Sequence, residues 1–441
     1  MDFQKLLNYG EKQGCQLVEF YISKSKNLSL KLREGILENI TESMGQGIGI
    51  RVIKDNRQSL VYATEISDES IKKAIDDGLT IAPYLDEEKE LSFETNVVFE
   101  DVLEADKIKA IEDTELAEKI NYLHEMEKTG KENSKYPVTI ESASYEEAIY
   151  ESCILNSQGL SKKETGAYCG SYVAMALANE GVQETGDSYC YTTDIKELFN
   201  RNIGKEAYSK GASMIGATGL KTGTYTAIFN TEATIDFLSL LGVSFNGENI
   251  YKGKSLFKDK WNQALISPLI SIVDDGTLKG KMGTSYFDGE GVETRRTLLM
   301  DKGVFKEGLY NLTMAKLSGR STTGNCARSY QSLPSIGVSN FYIENGETPK
   351  GDLLKEMHNG LIIKDLMGLH MADPITGDFS LGATGLIVKN GQVEKGFRGV
   401  TVSGNLMDLF SNVLKVGDDL TFKITKGAPS LLVKDVIISG S

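Results

Sequence analysis

Few side chains in this 441-residue sequence are of a type that holds a metal ion or attacks a substrate. There are three histidines, His124, His358 and His370. None is followed four or five residues later by a histidine, cysteine or carboxylate, the spacing that places two ligands on one helix face, so a locally built zinc hydrolase is not expected. His124 falls in a highly charged stretch and reads as a solvated or packing residue, and His358 precedes Asn359-Gly360 in similar surroundings. His370 leads into Asp373-Pro374-Ile375-Thr376-Gly377-Asp378-Phe379-Ser380, a polar turn of the kind that fixes functional groups or is simply tied by Asx hydrogen bonds. Ser318-Gly319-Arg320-Ser321-Thr322-Thr323-Gly324-Asn325 combines glycines with guanidinium, hydroxyl and amide groups suited to an extended peptide backbone or its carboxylate; a plain polar loop has the same composition. Cys326 follows with no histidine nearby to activate it. The five cysteines (Cys15, Cys153, Cys169, Cys190, Cys326) are scattered without a CxxC pair, which predicts reduced, structural thiols. No nucleophile elbow, Walker A loop or dinucleotide fingerprint occurs.

Those groups must be carried by a chain of ordinary globular make-up, 40% hydrophobic and 25% charged, with a net charge of −14. Such a balance repels phosphate backbones, so nucleic acid is not an expected ligand. No apolar run approaches the ~20 residues that cross a bilayer. With Met1-Asp2 at the start and no leader-like segment, the expected compartment is the cytoplasm.

Periodicity and turn chemistry predict an α+β protein, with an N-terminal antiparallel sheet under covering helices and a C-terminal β-rich domain with helices. The first strands are expected as five short runs at 19–23, 28–32, 36–41, 49–53 and 60–63, with Gly45-Gln46-Gly47 as a hairpin turn. Ser67 caps a helix that Pro83 stops. The acidic stretch 88–135 reads as a linker helix, 138–186 as strands, 194–212 as helix, and the remainder as β-runs punctuated by glycine. The expected segments are an N-terminal α+β domain over 1–85, a linker helix and central strands over 86–220, and a β-rich domain over 221–441.

The order of four motif groups resembles the TldD/PmbA family along nearly the whole chain. They are Gly47-Ile48-Gly49-Ile50-Arg51-Val52 with Tyr62-Ala63-Thr64; Thr139-Ile140-Glu141-Ser142-Ala143-Ser144-Tyr145 with Asn156-Ser157-Gln158-Gly159; Val273-Asp274-Asp275-Gly276-Thr277, Asp288-Gly289-Glu290-Gly291-Val292 and Thr323-Gly324-Asn325; and His370 to Ser380 with Gly385-Leu386-Ile387-Val388. The resemblance implies a peptide-processing metalloprotease family whose catalytic member holds zinc on a His-Glu-x-x-x-His helix, the glutamate serving as general base. Counted without gaps from Gly223-Thr224-Tyr225, that register falls on Ser239, Leu240 and Ser244, which are poor zinc ligands and no base. The family's third ligand, a cysteine near the C-terminus, is also missing after Gly417. The chain therefore resembles the PmbA/TldE-type subunit, with no catalytic residue, metal or cofactor of its own.

What the resemblance implies for partners is a zinc-bearing TldD-like subunit, or a homodimer when isolated, acting on peptides or unfolded polypeptides. Arg320, Thr323, Gly324, Asn325, His370, Asp373 and Asp378 are then expected along a substrate channel. Two alternatives stay open: a stand-alone non-metal hydrolase using Cys326 or a carboxylate pair among Asp274, Asp275 and Asp288, and a regulatory protein-binding factor of the gyrase-modulator type.

Overall fold

The computed structural model describes residues 1–88, 90–132 and 134–440. The first half is built on hairpins far longer than the sequence pattern suggests. Leu17–Arg33 runs for 17 residues and pairs antiparallel with the 19 residues of Ile36–Lys54. Glu34 and Gly35 close this hairpin with both φ angles positive, the backbone twist a two-residue hairpin turn requires. Val138–Asn156, Ser161–Asn179 and Val182–Thr192 repeat the motif, and Val138–Asn156 joins Leu17–Arg33 edge to edge. One seven-stranded sheet results, running from Arg57–Ala63 at one edge to Val98–Val102 and Val182–Thr192, which share the far side of Ser161–Asn179.

The five expected short strands are thus three, two of them unbroken. Gly45-Gln46-Gly47 lies within a strand and not in a turn. Its glycines act through close approach: a Cβ on Gly47 would sit 2.4 Å from the Tyr330 ring, and one on Gly49 would sit 2.4 Å from the Tyr330 carbonyl oxygen. The expected linker helix is also corrected. It is two helices, Ala105–Asp113 and Leu116–Lys131, whose Ile108, Ile111, Leu123 and Met126 are buried against the sheet together with Ile203 and Ala207 of Ile203–Met214. Phe3–Lys12 and Asp68–Ile81 cover the other end, where Leu6, Leu7, Ile71 and Ile75 meet Val18, Phe20, Ile48 and Ile50. Ser67 caps the second of these as expected, in a reciprocal box with Ser70.

In the second half, Gly360–Met367, Asp378–Lys389, Gln392–Asn405, Leu431–Ser439 and Gly223–Phe229 close on themselves, because Thr401–Ser403 also pairs with Ile437–Ser439. Closure removes the free edges that a sheet of this size would expose. A second sheet of short strands, from Val304–Phe305 to Thr421–Lys423, lies beside it. Between the two runs the helix Thr231–Gly242, with Asn230 as its cap and Ala233, Phe237, Leu238 and Leu241 in one continuous core.

Candidate functional site

The two halves meet along a seam that buries charge. Cys326–Ala327 and Ser335–Ile336 form a small hairpin whose tip lays Tyr330 on the glycines of the Ile36–Lys54 strand. From the same hairpin Arg328 reaches into the N-terminal sheet, where its Nη1 donates to Glu19 Oε1. Glu19 also accepts from Arg51 Nη1 at 3.4 Å, and Arg51 Nε donates to Gln58 at 2.9 Å. Both Glu19 and Arg51 are 1% exposed. Burial alone would push the Glu19 carboxyl up, but the guanidinium groups of Arg328 and Arg51 hold it below the usual carboxylate range.

Beside this ion cluster lies a cleft of about 270 Å³, walled by Tyr21, Ser152 and Glu164 of the sheet and by loops around 283–294, 324–328 and 337–339. The carboxylates on and behind its wall are held by donors of the chain itself. Asp288 accepts from the amides of Glu290 (2.9 Å), Val292 (3.0 Å) and Cys326 (2.9 Å). Asp274 accepts from Asn325 Nδ2 at 2.6 Å and from the Ser339 amide at 2.8 Å. Glu164 accepts from Ser285 and the Tyr286 amide, which pins the second half to the first. Burial raises Asp274 and Asp288 to about 6. Glu290, behind Asp288, is pushed up to about 8 by burial and by that neighbour.

These contacts bear on local catalysis. Asp274 and Asp288 spend their oxygens on fixing loops, as does Asp275, which accepts from Thr277. The Cys326 thiol is pushed far up by burial and by Glu290 and Asp288, so it is not poised as a thiolate.

The residues singled out from the sequence are dispersed. Gly324 and Asn325 line the cleft, whereas Thr323 is buried behind it, exchanging hydrogen bonds with the Tyr310 backbone. Arg320 points elsewhere, its guanidinium 3.3 Å from the Trp261 ring centroid and in an ion pair with Glu307. His370 is exposed in a short 3-10 turn, Asp373 accepts from the Ile375 and Thr376 amides, and Asp378 accepts from Asn405. Among the described residues no hydrogen bond or ion pair joins this turn to the 320–325 loop.

Ser239, Leu240 and Ser244 do not converge either. Ser239 donates to the Ile235 carbonyl and accepts from Lys426; Leu240 packs half-buried on the core; Ser244 is buried beyond the helix end, facing the Leu256 amide. A zinc ion has no place among them. The polar face of Thr231–Gly242 instead carries Glu232, paired with Lys210 at 2.8 Å and Lys423 at 2.9 Å, and Asp236, raised to about 6 by burial and by Glu232 and Asp365. Among the described residues no three His, Cys, Asp or Glu side chains come together as a metal site.

The charged cluster at the seam was missed. Its one sequence signal is a lone charge inside an otherwise apolar strand, Glu19 in Leu17-Val18-Glu19-Phe20 and Arg51 in Ile50-Arg51-Val52.

A hairpin-built first half joined to a closed β-structure flanked by a helix defines a metallopeptidase-family type of scaffold. The chain belongs to the PmbA/TldA metallopeptidase family, whose first, central and C-terminal domains match residues 18–82, 109–215 and 222–440. It is 27% identical to an uncharacterised protein of Methanocaldococcus jannaschii, with all of each chain covered, and 24% identical to the metalloprotease PmbA of Escherichia coli, covering 98% of this chain and 93% of the other. TldE from Thermococcus kodakarensis shares the fold with a TM-score of 0.88 at 22% identity, covering 99% of this chain and all of the other. A Thermotoga maritima protein solved as a candidate modulator of DNA gyrase shares it at 0.86 and 24%, covering 99% of each chain.

Proposed function

We propose that this chain is the metal-free subunit of a two-chain cytosolic peptidase, in which a TldD-type partner supplies zinc and this chain helps shape the path of a peptide or unfolded polypeptide. The observation that carries the reading is the face of Thr231–Gly242, where Lys–carboxylate pairs occupy the polar side of a helix kept within the family scaffold. The scaffold is common to relatives named metalloprotease PmbA and metalloprotease TldD homolog, both aligned over more than nine-tenths of this chain. Methanocaldococcus jannaschii has at least two relatives of the chain, one of them named a metalloprotease, as a paired system requires.

The test is to mix the purified chain with a TldD-type chain from the same genome and follow mass, zinc content and cleavage of an unfolded polypeptide. The expected result is a mixed complex whose cleavage a chelator abolishes, while the single chain neither cleaves nor holds stoichiometric zinc. Cleavage by the single chain with a chelator present, or failure of the two chains to associate, overturns the proposal.

A further inference from the structure

The Arg328 guanidinium has no exposed area, yet only one of its three nitrogens is used. Nη1 meets Glu19, whereas Nε and Nη2 have no partner among the described residues. The two free nitrogens are those of one edge of the planar group, whose parallel N–H bonds match the two oxygens of a carboxylate. Buried donors left unpaired are costly, more so where the group is charged, so an unpaired fork of this kind calls for a partner. Glu19 is shared between Arg328 and Arg51, so the trio keeps one uncompensated positive charge. Glu164 and Asp288, the carboxylates on the cleft wall, are satisfied by other donors, and neither is in an ion pair with Arg328 among the described residues. Arg328 forms part of the cleft wall next to Tyr21, and because its Nε and Nη2 carry no accessible surface, a ligand in the cleft reaches that edge only once the guanidinium turns toward it; the cleft has room for a terminal residue of a chain.

We propose that the cleft between the two halves binds a peptide carboxylate on the Nε and Nη2 edge of Arg328. The inference rests on the peptide-channel reading above and assigns it a recognised group. The carboxylate comes from a chain terminus or from an acidic side chain, and the two sources differ in what amidation does.

Titration calorimetry on the full chain, with no partner and no cleavage, tests this using N-acetyl-trialanine, its C-terminal amide, and N-acetyl-Ala-Glu-Ala-amide. The acid is expected to bind roughly tenfold or more tighter than the amide, with Arg328→Lys, which keeps the charge but not the fork, abolishing the difference. Preference for the glutamyl amide over both trialanines would support the same fork with a side chain as its source. Should Arg328→Lys fail to fold, Val338→Trp in the cleft wall, away from the ion cluster, is expected to lose acid binding while remaining folded. Equal binding of acid and amides, no binding of any of the three at millimolar concentration, or undiminished acid binding by a folded Arg328→Lys or Val338→Trp overturns the assignment. None of these outcomes depends on association with a partner, so the subunit proposal stands or falls separately.

Discussion

Glu19 is one carboxylate between two buried guanidinium groups, and its removal leaves charge behind. Breaking a buried pair from one side typically costs about 3–5 kcal/mol, more than the pair itself contributes relative to an apolar replacement. Glu19→Gln should therefore lower the urea midpoint by a corresponding amount; a loss under about 1 kcal/mol would mean that water already solvates both arginines. Asn325→Ala is expected to destabilise as well, because it takes from the buried Asp274 the amide that donates at 2.6 Å. Glu290 sets a pH dependence of opposite sign to that of Glu19. It is pushed up to about 8, against 4.5 for a free glutamate, so between those values the folded chain binds more protons than the unfolded one. Stability then falls as pH rises through that window, with Asp274 and Asp288 adding to the fall up to about pH 6. Glu19, held low, contributes stability above its unfolded pKa that is lost only as pH falls through its folded one. Denaturation of Glu290→Gln, which keeps a carbonyl for the Leu312 amide, should show a flatter decline between pH 5.5 and 8 than the parent, by roughly 1–3 kcal/mol. Parallel curves would remove Glu290 from the cause.

The Ile36–Lys54 strand shows what a local reading resolves and what it misses. Alternation, capping and glycine punctuation were enough to give the α+β class and the helix at Ser67, because those signals act over a few residues. They failed at Gly45-Gln46-Gly47, where Gly47 answers to Tyr330, a residue in the other half of the chain. At Ser239 and Ser244 a count along the chain does not reveal where the helix ends: it stops at Gly242, and Ser244 lies in the 3-10 turn that follows. The loop 318–325 was legible as polar, but its division between the cleft and the Trp261 face depends on tertiary packing. Gly47→Ala should destabilise by about 1–3 kcal/mol and be largely rescued by Tyr330→Ala, whose ring is what the new methyl meets. Gly49→Ala meets the Tyr330 backbone oxygen instead, so the same second change should not rescue it. Full additivity in the Gly47 cycle would show that the hairpin docks elsewhere. For the helix, Ser239→His with Leu240→Glu and Ser244→His should still not retain zinc by elemental analysis after dialysis, because the second histidine would start from a buried site beyond the helix end. About one zinc per chain would show that the segment can re-form a metal face.

At the scale of the whole molecule, three matched family segments do not make three independent bodies. The first two share one sheet, since Leu17–Arg33 pairs with Val138–Asn156 along most of its length. The third is tied to them by Arg328 to Glu19, Ser285 to Glu164, Arg398 to Glu184, and Glu232 between Lys210 and Lys423. Several of these partners are buried, so parting the halves leaves unpaired charges and exposes the cleft. Halves joined by such a seam lose more by separating than either gains in freedom, which favours a single cooperative transition. Calorimetry at neutral pH should accordingly give one peak with calorimetric and van't Hoff enthalpies in agreement. Glu19→Gln, by removing the central tie, should split or broaden that peak before it abolishes folding, because each half retains its own core. Two resolved transitions in the parent chain would show instead that the seam is weak, and that the cleft opens as a hinge without help from a partner.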